Sequence, residues 1–370
     1  MEHEAIDVAT PVVNEEEVEA VREVLLSGNY VSGLRVEQFE EKFARFIGVK
    51  HAVAVNSGTA ALHIALEALG VGKGDDVMVP PLTFFATVSS VLYRGALPVF
   101  ADIDLDDLCL SPESVEALIT PNTKAIVPVH LFGAPAKMDK FTVLSAKYNI
   151  PVLEDCAQAH GSEFNGQKVG GIGNAGAFSF FATKHMTTGE GGMITTHHKH
   201  IAETARIIRN HGMRGRDEHV LLGYNNRMTE IEAAMGQVQL QKLDSLNQKR
   251  IANSEYLLSH IRRLPWAKVP VASRKQIKHT YFWCPVMMDE NSNRGIEDLK
   301  AHLKKHRIGF RHRYREPLYK QSILASIGLD YSKVHLENVE KVAGNIIGLP
   351  NHPKLTQKQM ERIVDVLRQF

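Results

Sequence analysis

VLEDCAQAHGSEFNGQKVGGIGNAGAFSFFATKHMTTGEGG, residues 152–192, is the stretch on which the fold turns. An apolar run ends in Glu154-Asp155. A glycine-rich loop follows, then a second apolar run around Ser179, then Lys184 just before Gly189-Glu190-Gly191-Gly192. Asp155 and Lys184 thus sit at the exits of two expected strands, where α/β proteins place their chemistry. A lysine able to form an imine and a carboxylate able to keep a pyridinium nitrogen protonated are the minimum pair for a pyridoxal phosphate site. Ordinary loop chemistry explains such a pair equally well, so the rest of the chain has to decide.

Working upstream, His51–Asn56 reads as a short strand that runs into Ser57-Gly58-Thr59 and a helix over residues 60–69. A strand, a small-residue turn and a helix start aim several backbone N–H groups at one spot, which suits a phosphate. A plain capped helix has the same pattern. Asp76–Pro80 is a further strand, followed by a helix over 81–92 with Phe84 and Phe85 at its start, either of which could stack on a flat ring or simply fill core. Strands at 96–100, 125–129 and 150–153, separated by helices at 112–119 and 138–148, lack clean alternation, as expected of parallel strands covered on both faces. Two amphipathic helices precede them, residues 14–26 and one with Val36, Phe39, Phe43 and Phe46 on a stripe. Alternating strands and helices predict an α/β fold with a mostly parallel central sheet.

Downstream, Gly192–Thr196 is a strand, 199–210 a helix, and 215–228 an irregular polar loop. Residues 229–261 read as one long helix joining a large domain to a small one, with the boundary at 245–265. A strand at 281–287 and helices at 296–306 and 356–367 make the second domain α+β. The expected division is 1–250, a large α/β domain with an N-terminal helical arm, and 251–370, a small C-terminal α+β domain.

The bulk numbers fit two domains in 370 residues. A formal net charge of +1, with no basic block, argues against a nucleic-acid partner. Three scattered cysteines favour a reducing compartment, no run approaches a membrane span, and the acidic N-terminus lacks the apolar core of a signal peptide, so the expected location is cytoplasmic.

Two motifs compete with these assignments. Gly171-Ile172-Gly173-Asn174-Ala175-Gly176 matches the dinucleotide fingerprint, but it follows a polar loop and runs into a strand rather than a helix, which rejects it. His197, His198 and His200 lie at a polar helix start with no carboxylate or cysteine at ligand spacing, so no metal is expected. In AFSFF, alternation puts Phe178 and Phe180 on one side and Ser179 and Phe181 on the other, and a hydroxyl on an apolar strand needs a partner.

NSGTAALHIALEALG (56–70), PLTFFAT (81–87), AIVPVHLFG, EDCAQAHG, FSFFATKHMTTGEGG and GYNNRMTEIEAAMGQVQL, in this order, resemble the DegT/DnrJ/EryC1/StrS family of pyridoxal phosphate-dependent sugar aminotransferases. The similarity runs from Val12 to the C-terminus. It implies the aspartate aminotransferase-like architecture, fold type I, and pyridoxal 5'-phosphate (PLP) as cofactor, with pyridoxamine 5'-phosphate (PMP) as its aminated form. By position, Lys184 matches the lysine that joins the cofactor as an imine, and Asp155 the partner of the pyridine nitrogen. Gln158 matches the amide near the ring hydroxyl, Phe84 the stacked aromatic, and Gly58, Thr59 and Ser179 the phosphate-binding positions. Asn225, with Asn226 and Arg227 close by, corresponds to an asparagine that reaches the phosphate of the neighbouring subunit, which implies a homodimer. Tyr30, His160, His185 and the segment from His312 to Tyr319 fall where relatives approach the sugar. Dehydratases of the family carry histidine in place of the lysine, and the spacing to Gly189-Glu190-Gly191 puts Lys184, not His185, in that slot. The implied reaction moves an amino group, from glutamate in most relatives, to a keto-sugar. A nucleotide-linked 4-keto-6-deoxy hexose is the first expectation. A 3-keto hexose, an 8-keto octulosonate or a PLP/PMP-dependent dehydratase are the alternatives.

Overall fold

The computed structural model describes residues 4–270 and 276–370; Met1 to His3 of the acidic N-terminus lie outside the described residues. Seven strands build the main sheet: β1 (His51–Val55), β2 (Asp76–Val79), β3 (Leu97–Phe100), β4 (Thr123–Ile126), β5 (Leu153–Asp155), β6 (Ala175–Ser179) and β7 (Gly192–Thr196). Parallel pairing gives the order β3-β2-β4, and single parallel bridges from Ile126 to Val152 and from Val129 to Asp155 join β4 to β5. β5 pairs parallel with β6, and β7 runs antiparallel between β6 and β1. The sheet is therefore mostly parallel, as the unbroken apolar runs predict, and its parallel strands deliver their C-terminal ends, Asp155 and Ser179 among them, to one edge.

Helices cover both faces. Helix α1 (Glu15–Ser27) is held by Glu17, which accepts from Asn14 N at 2.9 Å and Gln239 Nε2 at 2.6 Å. Helix α2 (Leu34–Ile47) buries Val36, Phe39, Phe43 and Ile47. Its Phe43 meets Phe178 and Phe180 edge-on at 5.0 and 5.4 Å, so the alternation in β6 sends these two rings to the α2 side and Ser179 to the other. Helix α3 (Gly58–Ala68) starts where Ser57 Oγ accepts from Ala60 N at 3.1 Å. Helix α4 (Ala86–Tyr93) begins later than the sequence suggests: residues 81–85 are a turn, and Phe84 is left 58 % exposed. Helices α5 (Pro112–Leu118), α6 (Met138–Tyr148) and α7 (Lys199–Arg209) complete the layers.

Helix α8 (Glu230–Ile261) packs on α1 and α2 near its start and reaches the C-terminal lobe at its end. Its first residue is buried, and the Glu230 carboxylate accepts from Gly33 N, Arg35 N and Val36 N, all at 2.9 Å, capping α2 from outside. In the C-terminal lobe, strands Ala267–Lys268, Cys284–Met288 and Ile346–Leu349 form an antiparallel sheet under helices Ile296–Lys305 and Gln357–Gln369. Their own core includes Leu257, Ile261, Val286, Leu299, Leu303, Ile347, Ile363 and Leu367. Ile6 joins that core and pairs with Ile308, so the N-terminal end is tied to the lobe. Leu318, Leu324, Val339 and Val342 belong instead to the core of the large domain, where Leu318 N donates to Pro81 O at 2.9 Å. The strand expected at 281–287 starts only at Cys284, because Tyr281 adopts a left-handed backbone with φ 48°. The expected irregular loop at 215–228 holds a two-residue strand, Glu218–His219, paired with Met213–Arg214. No helix among the described residues is long and apolar enough to cross a membrane.

Candidate active site

The glycine-rich loop behind β5 is explained by Glu154, which is fully buried. Its carboxylate accepts from Gly170 N at 2.9 Å, Ile172 N at 2.8 Å and Gly173 N at 2.7 Å, and lies 3.1 Å from His130 Nε2. The loop's amides, which in a dinucleotide fold would face a pyrophosphate, are spent on the protein's own acid. A Cβ at Gly176 would come within 2.5 Å of Gly170 Cα and 2.6 Å of Thr195 Oγ1, so the strand can sit this close to the loop only with glycine there. The loop clamps β5 and β6 together and so sets the spacing of the residues at their exits. His130, Glu154 and Cys156 place ligand atoms within 4.8 Å of one another, but the acid's bonds are already made to the loop and the imidazole.

Those exits open into a cavity of about 410 Å³. Of the residues expected to hold a cofactor, Gly58, Thr59, Phe84, Asp155, Gln158, Ser179 and Lys184 all line it, brought together from five separate segments. Asp155 is buried, and burial raises its pKa above the ordinary carboxylate value. Hydrogen bonds from Ala157 N at 3.1 Å and Thr87 Oγ1 at 2.9 Å, and the nearby Lys184, act in the opposite direction. A cation placed opposite Asp155 would favour its ionised form. Gln158 is oriented from both ends: its Oε1 accepts from Phe132 N at 3.1 Å, and its Nε2 donates to Tyr314 OH at 3.0 Å. One amide hydrogen is left for another acceptor.

Lys184 follows β6 on a turn where its N–H donates to Phe181 O at 2.9 Å, and its Nζ lies 4.8 Å from the centre of the Phe282 ring. Burial lowers its pKa from 10.5 to about 8; Asp155 pulls it up and Arg313 pushes it further down. Gly58 faces Ser179 so closely that a Cβ would lie 2.6 Å from the serine Cβ, leaving the start of α3 open to an anion beside the Ser179 hydroxyl. Phe84, Phe282 and Trp283 supply aromatic surface.

Of the residues expected on the substrate side, Tyr30, His160, His185, His312 and Tyr319 do not line this cavity, while Arg313 and Tyr314, within the expected segment from His312 to Tyr319, do. His160 is fully buried against Phe178, Phe180 and His185, where burial lowers its pKa to about 3. His185 is buried, with its ring 5.7 Å from that of Phe282 and its Nε2 3.3 Å from Thr280 O, and burial lowers its pKa well below the ordinary histidine value. His312 Nε2 is 3.0 Å from Gly344 O. The buried Tyr319 donates to Glu340 Oε1 at 2.7 Å and packs its ring on Phe100. Tyr30 is exposed, its hydroxyl 3.2 Å from Leu25 O, away from this chain's cavity. Asn225 is exposed beside Leu222, which is 88 % exposed, on the loop before α8. In place of the expected five stand Phe181, Thr183, Glu190, Phe282, Trp283, Arg313 and Tyr314. Phe181 was legible from its alternation with Ser179, and Arg313 and Tyr314 lie inside the expected segment from His312 to Tyr319. The last four arrive through the left-handed backbone at Tyr281 (φ 48°) and Tyr314 (φ 57°), which no periodicity signals.

A lysine and an acid facing one cavity, an aromatic ring beside them and an open anion-binding turn together fit PLP. The sequence profile of the DegT/DnrJ/EryC1/StrS aminotransferase family matches residues 11–368. A relative named pleiotropic regulatory protein, from Geobacillus stearothermophilus, is 36% identical over 94% of this chain and 92% of its own. The structure of DesV from S. venezuelae superposes with a TM-score of 0.90 at 35% identity, covering 96% of this chain and 94% of that one. Spr1654 of Streptococcus pneumoniae, named as a sugar aminotransferase and solved in PLP and PMP forms, superposes in its PLP form with a TM-score of 0.90 at 27% identity over 99% of this chain and 98% of its own. The cavity's chemistry and the match along nearly the whole chain lead to one conclusion: this protein belongs to the DegT/DnrJ/EryC1/StrS aminotransferase family, with the type I fold, and is a PLP-dependent enzyme.

Proposed function

We propose that this enzyme moves an amino group from an amino acid, L-glutamate by preference, to a nucleotide-linked 4-keto-6-deoxy hexose, working as a homodimer in the cytoplasm. The single observation that carries the amino-transfer part is that Lys184, and not His185, faces the cavity opposite Asp155. A histidine in the lysine's place would have suited the family's dehydratases. The sugar part draws support from the relative named for that activity, and the nucleotide part from the open, aromatic outer wall of the cavity. Homodimerisation would cover Phe84 and Leu222, both left exposed on a single chain, and would bring Asn225 to the partner's phosphate turn. Division into residues 1–250 and 251–370 is proposed on the same footing, with α8 spanning it.

The cofactor, when bound, supplies an electron sink for the carbon that gives or receives the amine. Gly58, Thr59 and Ser179 would hold its phosphate, and Phe84 would lie along the ring. Asp155, fixed by Thr87 and Ala157, would keep the ring nitrogen protonated. Gln158 would place its free amide hydrogen on the ring oxygen, with Phe132 and Tyr314 fixing the amide's orientation. Lys184, with a pKa near 8, is poised to carry a proton near neutral pH as a general base and acid. Apolar neighbours such as Phe282 restrict water around its nitrogen.

Lys184→Ala tests the assignment. The expected result is loss of amino transfer from glutamate across a panel of keto-sugars, and no cofactor trapped on the chain by borohydride. Wild-type protein should trap it on Lys184. Undiminished transfer by the variant would overturn the assignment, and a wild-type protein that binds cofactor without transferring to any keto-sugar would return the function to regulation.

A further inference from the structure

Lys184 and Glu190, both on the cavity wall, belong to one turn, residues 181–190, that follows the end of β6. The turn is tied to that end by its own backbone. Lys184 N donates to Phe181 O at 2.9 Å, Thr188 N donates to Phe180 O at 3.0 Å, and Phe181 bridges to Gly189. Thr187 braces it from within, donating from Oγ1 to Phe180 O at 3.1 Å and accepting from Gly189 N at 2.9 Å. On its outer side the turn meets α8 at two positions about one helical turn apart. A Cβ at Gly236 would lie 3.0 Å from Thr188 Cγ2, so glycine lets the helix seat that threonine closely. Three residues on, Gln239 Oε1 accepts from Thr187 N at 3.3 Å.

Gln239 is buried and does not line the cavity. Its Nε2 donates away from the turn, to Val12 O at 2.8 Å and to Glu17 Oε1 at 2.6 Å, so both ends of the amide are engaged. Val12 and Glu17 belong to the N-terminal arm. Glu17, itself buried, also accepts from Asn14 N at 2.9 Å and from Lys242 Nζ at 3.0 Å. One side chain therefore joins the seat of the arm to the backbone three residues from Lys184.

We propose that Gln239 is a positioning residue for Lys184, coupling the docking of the N-terminal arm to the orientation of the turn on which the lysine stands; this rests on the role given to Lys184 above. A base that moves a proton must hold its nitrogen at a set distance from the reacting carbon. The lysine hangs from this turn on a flexible stem, so a tilt of the turn is carried to Nζ. Fixing Thr187 N to α8 opposes that tilt. An amide suits the place because it offers an acceptor to the turn and two N–H groups to the arm. A carboxylate there would face Glu17 with acceptors on both sides, and a hydroxyl would be too short to span the two.

The test uses wild-type, Gln239→Met and Glu17→Ala proteins. Methionine keeps the length and burial of Gln239 without its hydrogen bonds, and Glu17→Ala loosens the arm while leaving the turn's residues intact. Amide hydrogen exchange is followed first, without cofactor, on a peptide covering residues 181–191. It should quicken about fivefold or more in Gln239→Met and by a smaller factor in Glu17→Ala, with exchange in the helix Ile296–Lys305 unchanged. The PLP-loaded proteins are then mixed with L-glutamate in single turnovers. Gln239→Met should lower the limiting rate of conversion to the PMP form about tenfold, with the half-saturating glutamate concentration changed by less than about twofold. The visible circular dichroism of its bound cofactor should change as well. Turn exchange as slow as in wild type in both variants, or an unchanged limiting rate despite a lowered thermal midpoint, overturns the proposal. If Gln239→Met does not fold, Glu17→Ala decides by the same two readouts. The two hypotheses fail differently: if the wild type converts no amino acid while the exchange responds as expected, the amino-transfer function fails and the coupling stands.

Discussion

Replacing Lys184 by methionine should make the cofactor-free protein more stable at neutral pH. Burial holds the lysine pKa at about 8 instead of its ordinary 10.5, which at 1.36 kcal/mol per pH unit is a cost of about 3 kcal/mol when the group is charged. The side chain keeps part of its surface on the cavity, and solvent there reduces the usable figure to roughly 1–2 kcal/mol. Methionine has similar length and no charge to desolvate, and can pack on the Phe282 ring. The sign of the pH dependence follows from the proton balance. Between pH 8 and 10.5 the unfolded chain binds more protons at this lysine than the folded one, so wild-type stability rises with pH through that window. The cost is present in full below about pH 8 and gone above 10.5. Urea unfolding of both cofactor-free proteins at pH 7 and pH 10 should show the variant ahead by about 1–2 kcal/mol at the lower pH and the gap mostly closed at the higher. A variant less stable at pH 7, or a gap that does not change with pH, would refute the reasoning. With PLP present the order should reverse, because the wild-type site binds cofactor tightly and gains about 2.7 kcal/mol at a hundredfold excess over Kd.

Three further outcomes are expected. Glu154→Gln should destabilise the protein by about 3–5 kcal/mol, because an amide cannot accept from three backbone N–H groups and its own NH₂ would face donors; denaturant midpoints read this. Gly58→Ala should weaken PLP binding at least tenfold while the protein stays folded, since its Cβ would collide with Ser179 at 2.6 Å and push the phosphate turn outward; absorbance titration with PLP measures it. Thr87→Val removes the hydroxyl that donates to Asp155 at 2.9 Å, and should cost about 1 kcal/mol of PLP affinity, a several-fold rise in Kd by the same titration.

The large domain was legible because its chemistry sits on regular elements. Parallel strands announce themselves as short apolar runs between helices, and Asp155, Ser179 and Lys184 stand at or just past strand ends. Gly58 and Thr59 begin a helix, and all five positions lie at or beside the ends of regular elements. The dinucleotide-like glycines could be rejected from context, but their purpose could not be read. Nothing in the sequence ties Glu154 to amides some 16 to 19 residues later. The substrate wall stayed hidden for a similar reason. His160 and His185 flank known landmarks in the sequence, yet both fall on the inward side of their turns, while Trp283 and Arg313 reach the cavity from the far lobe through single left-handed residues. Chain proximity to a motif is a poor guide to facing the same space.

The carboxylate of Glu230, which gathers three amides from the start of α2, makes α8 a lever with a fixed fulcrum. A helix of 32 residues is about 48 Å long at 1.5 Å per residue. A tilt of only about 3° at the fulcrum would then sweep the far end, where Leu257 and Ile261 plug into the C-terminal lobe, through about 2.5 Å. Such a sweep is opposed where Asn247 Nδ2 donates to His160 O at 2.8 Å and where Gln158 Nε2 donates to Tyr314 OH at 3.0 Å, so the far wall of the cavity is held to the wall that receives the cofactor.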